Sequence, residues 1–230
     1  MNLVAITLGI YVGINVVGLL WSAAIIHIGV PAPMSIQNRS HKWSTLTDRL
    51  PLVFLNQLIL ISLVFVGLQL FGDLFSQTMP SLLVMAAQLL IIVVFDDLIF
   101  YVWHRYMHEN RRLYNRVHRI HHKAYAPLPI EYIYVHPLEW MVGSLGPVVG
   151  LVAVNLVWGG IPCWTLWAYL LLRNLHELDV HSGMKSPLGK LIPLYAEAEH
   201  HDLHHLRPLK GNYASALTLW DRLLGTYYRP

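Results

Sequence analysis

The chain has 230 residues, of which 55% are hydrophobic and 13% charged, with a formal net charge of +3. Soluble domains carry about a quarter charged residues, so this composition argues against a soluble globular protein and for a membrane bundle with an attached polar part. The single cysteine, Cys163, excludes an internal disulfide and cysteine-ligated metal clusters, and reads as a small apolar residue in a buried helix.

Five apolar stretches follow one another. No Lys, Arg, Asp or Glu occurs between Asn2 and Asn38, and Leu3 to Ile26 is long enough to span a bilayer. The stretch lacks the basic start of a secretory leader and exceeds the length of a leader's apolar core, so it reads as a retained helix. Pro51 to Gly72 is uncharged. So is Leu74 to Phe95, where Pro80 places the helix start near Ser81. Trp140 to Leu172 is uncharged too, and Gly159, Gly160 and Pro162 near its middle predict two helices joined by a tight turn. The second of these, Ile161 to about Val180, is interrupted by Arg173. A span needs about 20 apolar residues to cross a core about 30 Å thick.

The basic residues add a direction. Arg39, Lys42 and Arg49 lie between the first two spans, Arg105 to Lys123 follow the third, Arg173 ends the fifth, and the rest are in the tail. With five spans and the N-terminus outside, all 16 Lys and Arg fall on one side, which the positive-inside rule makes cytoplasmic. The positive charge is then a matter of topology, and nucleic-acid binding is a poor explanation of it. The remaining polar parts are residues 31–50, 104–138 and 181–230.

Of 14 histidines, 12 lie at or after position 104, and they are clustered. His104 and His108 form H-x-x-x-H. His118, His121 and His122 form H-x-x-H-H, and His201, His204 and His205 form a second copy. His176 and His181 bracket E-L-D-V. Residues three and four apart share a helix face, so each cluster is expected to aim its imidazoles at one point. Histidine is the commonest ligand of iron, copper and zinc. Eight to ten histidines exceed what one ion takes, which points to two metals. His27 and His41 read as interfacial, and His200 as a neighbour of the ligands. Asp97 lies on the helix face of Tyr101, His104 and His108, and is the expected outer partner of a metal-bound histidine, with Asp202 a further candidate. Tyr101, His136 and Glu139 are candidates for the same outer layer or for the substrate's path.

A dry, lipid-facing site with two histidine-bound metals suits dioxygen activation and attack on an unactivated C–H bond. The scarcity of carboxylates in the motifs separates it from soluble carboxylate-bridged di-iron bundles. Such chemistry consumes electrons. The chain carries no G-x-G-x-x-G after a strand, no flavin motif and no haem motif, so a separate donor is expected, a reductase with a ferredoxin or a small cytochrome. A zinc-dependent membrane hydrolase is the first alternative, but in H-E-L-D-V, Val180 stands where H-E-x-x-H has its second histidine. A histidine-rich metal transporter is the second, but it would place ligands within the spans near the midplane. Zinc is able to replace iron in purified protein.

The runs D-D-L-I-F-Y-V-W-H-R-Y-M-H, H-R-I-H-H-K-A-Y-A-P, V-H-P-L-E and D-V-H-S-G, followed by the tail through H-H-D-L-H-H to L-L-G-T, resemble the fatty acid hydroxylase or sterol desaturase superfamily. The resemblance covers roughly Asp96 to Thr226. It implies an all-α integral-membrane bundle of about four to five transmembrane helices, with a cytoplasmic histidine-rich cap holding a di-iron site. The ligands it implies are His104, His108, His118, His121, His122, His181, His201, His204 and His205; clustering alone adds His176. Residues 1–230 form one membrane domain, with N-terminal spans over 1–80 and the catalytic region over 81–230. The family's members hydroxylate or desaturate sterols, fatty acids, sphingolipids or carotenoids, and the tail is most similar to the sterol branch. The expected activity is hydroxylation, or desaturation, of a lipid-like substrate by dioxygen, in a bacterial inner membrane or the endoplasmic reticulum.

Overall fold

The computed structural model describes residues 2–229. Helix α1 (Leu3–Ile28) begins where the Asn2 side chain accepts the amide of Ala5, and stops at Gly29, whose φ of 81° disfavours a residue with a Cβ. After the short α2 (Trp43–Thr47), α3 (Leu50–Phe71) carries Pro51 in its first turn, where a missing amide leaves no bond unmade. A two-residue strand β1 (Phe75–Ser76) precedes α4 (Leu82–Glu109), which is capped by the Ser81 hydroxyl, as Pro80 led us to expect. Next come α5 (Arg111–Arg116) and two 3-10 turns, His118–Lys123 and Pro129–Ile133. Helices α6 (Pro137–Gly143) and α7 (Leu145–Trp158) run back to Gly159, which closes α7 with a left-handed φ of 70°. Strand β2 (Ile161–Pro162) pairs in parallel with β1, and α8 (Cys163–Val180) returns towards the histidines. The tail adds α9 (Ala198–Leu206) and α10 (Leu219–Leu223).

The chain is therefore an all-α integral-membrane bundle. Four segments are long and apolar enough to cross a bilayer: Leu3–Ile28, Trp43–Leu74, Leu82–Glu109 and Pro137–Trp158. Their outer faces are greasy, with Leu20, Leu58, Leu90 and Leu156 between 62% and 78% exposed. Helix α8, the expected fifth span, is not among them by composition, since it carries Arg173, Glu177 and Asp179. It runs from β2 back to the histidines packed against α1 and α4, and Arg173 finds its partners, Asp96 and Glu177, within the protein. A charge in a bundle interior is tolerated when paired in this way.

Helices α4 and α7 make the tightest pair. Gly146 and Gly150, one turn apart on α7, lie on the backbone of α4: a Cβ at Gly146 would stand 2.7 Å from the Cα of Asp96, and one at Gly150 2.7 Å from the Cα of Ile92. Small residues at this spacing let membrane helices approach closely. Gly150→Ala is expected to destabilise the bundle by about 1–3 kcal/mol through overpacking. The check is its melting temperature in detergent; a value equal to wild type would mean that the helices part without penalty.

One buried aspartate ties the tail to the bundle and a second folds the tail on itself. Asp97 on α4 accepts the amides of Ser215, Ala216 and Leu217 at 3.1, 2.7 and 3.1 Å. Asp221 on α10 accepts those of Tyr213 and Ala214 and the Thr226 hydroxyl. These bonds fix the loop 213–217 over the last turns of α4 and α8.

Candidate metal centre

Nine histidines converge as two groups. His104, His108, His118, His122 and His204 form the first, and His121, His181, His201 and His205 the second; within each, the nitrogens lie within 4.8 Å of one another. The nearest pairs are Nε2 to Nε2. In the first group His104–His118 is 3.0 Å, His118–His122 2.9 Å and His108–His104 3.3 Å. In the second, His201–His181 and His205–His201 are both 3.1 Å, and His181–His121 3.4 Å.

The tautomers follow from the outer nitrogens. His104 Nδ1–H donates to the Tyr213 carbonyl at 2.7 Å, His181 Nδ1–H to Glu177 at 2.9 Å and His204 Nδ1–H to Gly211 at 2.8 Å. His118 Nδ1 stands 2.9 Å from Glu139 Oε1. A ring whose proton sits on Nδ1 turns an Nε2 lone pair inward. Lone pairs held about 3 Å apart repel unless a cation lies between them. Metal–nitrogen bonds of about 2.1 Å put neighbouring ligands of a right-angled shell about 3 Å apart and opposite ones about 4 Å, which these spacings match. Burial holds His121 down to about 3 and His204 to about 4 on the pH scale, so both are neutral at pH 7, the form that ligates. The donor set fits two metal ions.

The division of the motifs corrects one expectation. Each H-x-x-H-H was expected to aim at one point, but each is split. His118 and His122 enter the first group while His121 enters the second; His201 and His205 enter the second while His204 enters the first. On α9 the reason is rotational. At about 100° per residue, His204 is turned about 100° from His205 and about 60° from His201, enough to face the neighbouring ion. The two motifs thus interlock, each lending its middle histidine to the other's metal.

His176 is the expected ligand that the structure leaves out. It lies five residues before His181, about 140° away around the helix, so it points elsewhere: Nε2–H donates to the Ser215 carbonyl at 2.9 Å, and the ring meets Tyr195. His200 is likewise outside both groups, beside Asp221 at 3.2 Å. Asp97 contacts the loop 215–217 rather than a histidine. Both Asp202 oxygens accept from Gln37 Nε2, at 2.8 and 2.9 Å. The Tyr101 hydroxyl is paired with Thr226 at 2.8 Å. His136 caps α6, its Nδ1 accepting the Leu138 amide. Glu139 does reach the cluster, at His118.

Sequence reasoning missed the buried network of Asp96, Tyr169, Arg173 and Glu177. Asp96 accepts from the Tyr169 hydroxyl at 2.8 Å and from Arg173 Nε at 2.7 Å, and Arg173 also pairs with Glu177. Glu177 accepts the Ser215 hydroxyl at 3.0 Å, and its own carbonyl holds His181. The signal was present: Arg173 is the charge that interrupts the fifth apolar stretch, and such a charge implies a buried partner.

A cavity of about 600 Å³ opens among the helices. Its walls are largely apolar, from Leu60, Leu63 and Phe71 of α3 and Val148 and Leu151 of α7. Its inner end is formed by His104, His118, His121, His181 and His201 of both groups. Volumes of this order suit small-molecule ligands.

Comparison with known proteins agrees with this geometry. The family model described as fatty acid hydroxylase matches residues 89–226. Methylsterol monooxygenase 1 of Rattus norvegicus is 39% identical over 154 residues, 65% of this chain and 50% of that protein. A methylsterol monooxygenase of Aspergillus fumigatus is 36% identical over 164 residues, 70% of this chain and 55% of that protein. A very-long-chain aldehyde decarbonylase of Oryza sativa is 35% identical over 155 residues, 66% of this chain and 56% of that protein. The chain spans about half the length of these curated relatives. No solved structure matches it. With both histidine groups inside the matched region, the chain belongs to the fatty acid hydroxylase family.

Proposed function

We propose that the protein is a membrane-bound non-haem di-iron oxygenase that hydroxylates a C–H bond of a lipid-like substrate. The observation that carries this reading is the meeting of two histidine groups with the inner end of an apolar cavity. When bound, two iron ions supply the activation of dioxygen and the removal of hydrogen from an unactivated carbon. The chain's own part is to hold, orient and exclude. The carbonyls of Tyr213, Glu177 and Gly211 keep protons on the outer nitrogens of His104, His181 and His204, so these rings stay aligned without a charge of their own. The apolar walls desolvate the substrate and set which carbon faces the histidines, a positioning that decides hydroxylation against desaturation. Methylsterol monooxygenase relatives support a sterol as the substrate class. Electrons come from a separate reductase with a ferredoxin or small cytochrome, which docks on the basic face carrying Arg111, Arg112, Arg116 and Arg119. The distribution of Lys and Arg supports a cytoplasmic cap and an outside N-terminus.

The test is elemental analysis of the full chain from iron-supplemented cells, purified without a chelating tag. About two irons per chain, with dioxygen consumed only when lipid and a reductase system are present, is the expected result. One metal or none in folded protein would overturn the reading.

A further inference from the structure

The cavity is not apolar throughout. Tyr11 of α1, Tyr132, and Asn174 of α8 line one part of it. The Tyr132 ring lies 6.5 Å, centroid to centroid, from that of His181. Its hydroxyl donates to Asn15 Oδ1 at 3.0 Å, with Asn174 Oδ1 at 3.4 Å, so the phenolic oxygen keeps unused acceptor capacity. Asn174 Nδ2 spends one N–H on the Leu170 carbonyl and has a second. Tyr11, one turn before Asn15 on α1, makes no hydrogen bond through its hydroxyl to any described residue. The corner thus holds a free donor, a free acceptor and a half-used amide in an otherwise greasy chamber.

Its charge is equally specific. Apart from the histidines, the cavity has one basic lining side chain among the described residues, Arg173, and that is already paired with Asp96 and Glu177, which line the cavity too. No unpaired Lys or Arg is left in this corner to neutralise an anion. A hydroxyl or carbonyl needs none: it needs one donor and one acceptor, which the corner supplies. An unfilled buried polar group is costly, so the corner rejects plain hydrocarbon as well.

We propose that Tyr11, Tyr132 and Asn174 form a specificity pocket for the hydroxyl or oxo oxygen of an uncharged lipid. The proposal rests on the oxygenase reading above and narrows its substrate. The apolar remainder of the lipid extends away between α3 and α7.

Equilibrium binding tests this on the full chain in nanodiscs, with tritiated cholesterol against cholest-5-ene and 1-hexadecanol against hexadecane. Metal content is measured on each sample. In wild type, at least one alcohol is expected to bind about 5-fold or more tightly than its hydrocarbon, a ratio typical of one net hydrogen bond. Tyr11→Phe and Tyr132→Phe are each expected to reduce that preference to about 2-fold or less, with the metal content unchanged. Tyr11→Phe removes a hydroxyl that no residue holds, so it reads the pocket even if Tyr132→Phe fails to fold. Equal binding of alcohol and hydrocarbon in wild type, or a preference that survives Tyr11→Phe, overturns the pocket and leaves the oxygenase reading standing. If no member of either pair binds, the pocket falls together with the lipid substrate.

Discussion

His204→Ala is expected to retain about one metal per chain and lose all turnover, and His121→Ala to do the same from the other side of the centre. The two variants test the interlocked pattern. His204 is the one ligand that α9 gives to the first group, and His121 the one that the 118–123 turn gives to the second. Removing either opens one shell while the other keeps its full set. Each surviving shell keeps at least one carbonyl-held histidine, His181 in the second group and His104 and His204 in the first, so the surviving ion stays bound. Elemental analysis beside dioxygen consumption reads both effects. If instead each motif served one metal, His204→Ala would weaken the site that also holds His201 and His205. His204→Ala combined with His108→Ala would then lose both ions, where the interlocked arrangement still keeps one. Full turnover in either single variant would sink the ligand assignment.

Asp97→Asn is expected to leave the bundle folded and to weaken metal retention about 10- to 100-fold, the usual scale for partners one layer out. The route is indirect. The carboxylate accepts three consecutive amides of the loop that begins with Tyr213, and the Tyr213 carbonyl fixes His104. An asparagine presents one oxygen and one N–H₂, so at least one of the three amides would face a donor. The loop then loosens over His104, and the first group should release its ion at a lower chelator concentration than the second. Chelator titration with metal counting separates the two. Identical curves for variant and wild type would show that Asp97 serves the fold alone.

Much of this was legible before any coordinates, for reasons that differ by element. The helix starts at Ser81 and the break at Gly159 depend on local chemistry, a side-chain cap and a left-handed φ, so they can be read from a few residues. Eight of the nine histidines were visible because ligands on one helical face recur at three or four residues; His181 came from the family resemblance. Their division between two ions was not visible. Whether His204 faces with His201 or away from it is settled by where the 118–123 turn packs, and that is a tertiary fact. The same holds for Asp97: its place on the helix face of His104 led to the expectation of a histidine partner, but only the folded tail shows that its partners are amides. Helix α8 reads as an apolar stretch interrupted by Arg173 because its first ten residues are apolar, while the burial that makes Arg173 acceptable comes from Asp96, 77 residues away in sequence.

The interlocking of the histidines also sets an order of assembly. The ribosome delivers His104 to His122 first, then His181, and only last the segment with His201, His204 and His205. Until that segment arrives, neither shell is complete: the first lacks one ligand and the second lacks two. The bundle can therefore be threaded into the bilayer before a tight site exists. Metallation becomes the closing act of biogenesis, latched when the 215–217 amides reach Asp97. A chain truncated after residue 196 would carry the apolar spans of the finished protein and none of its tightly held metal.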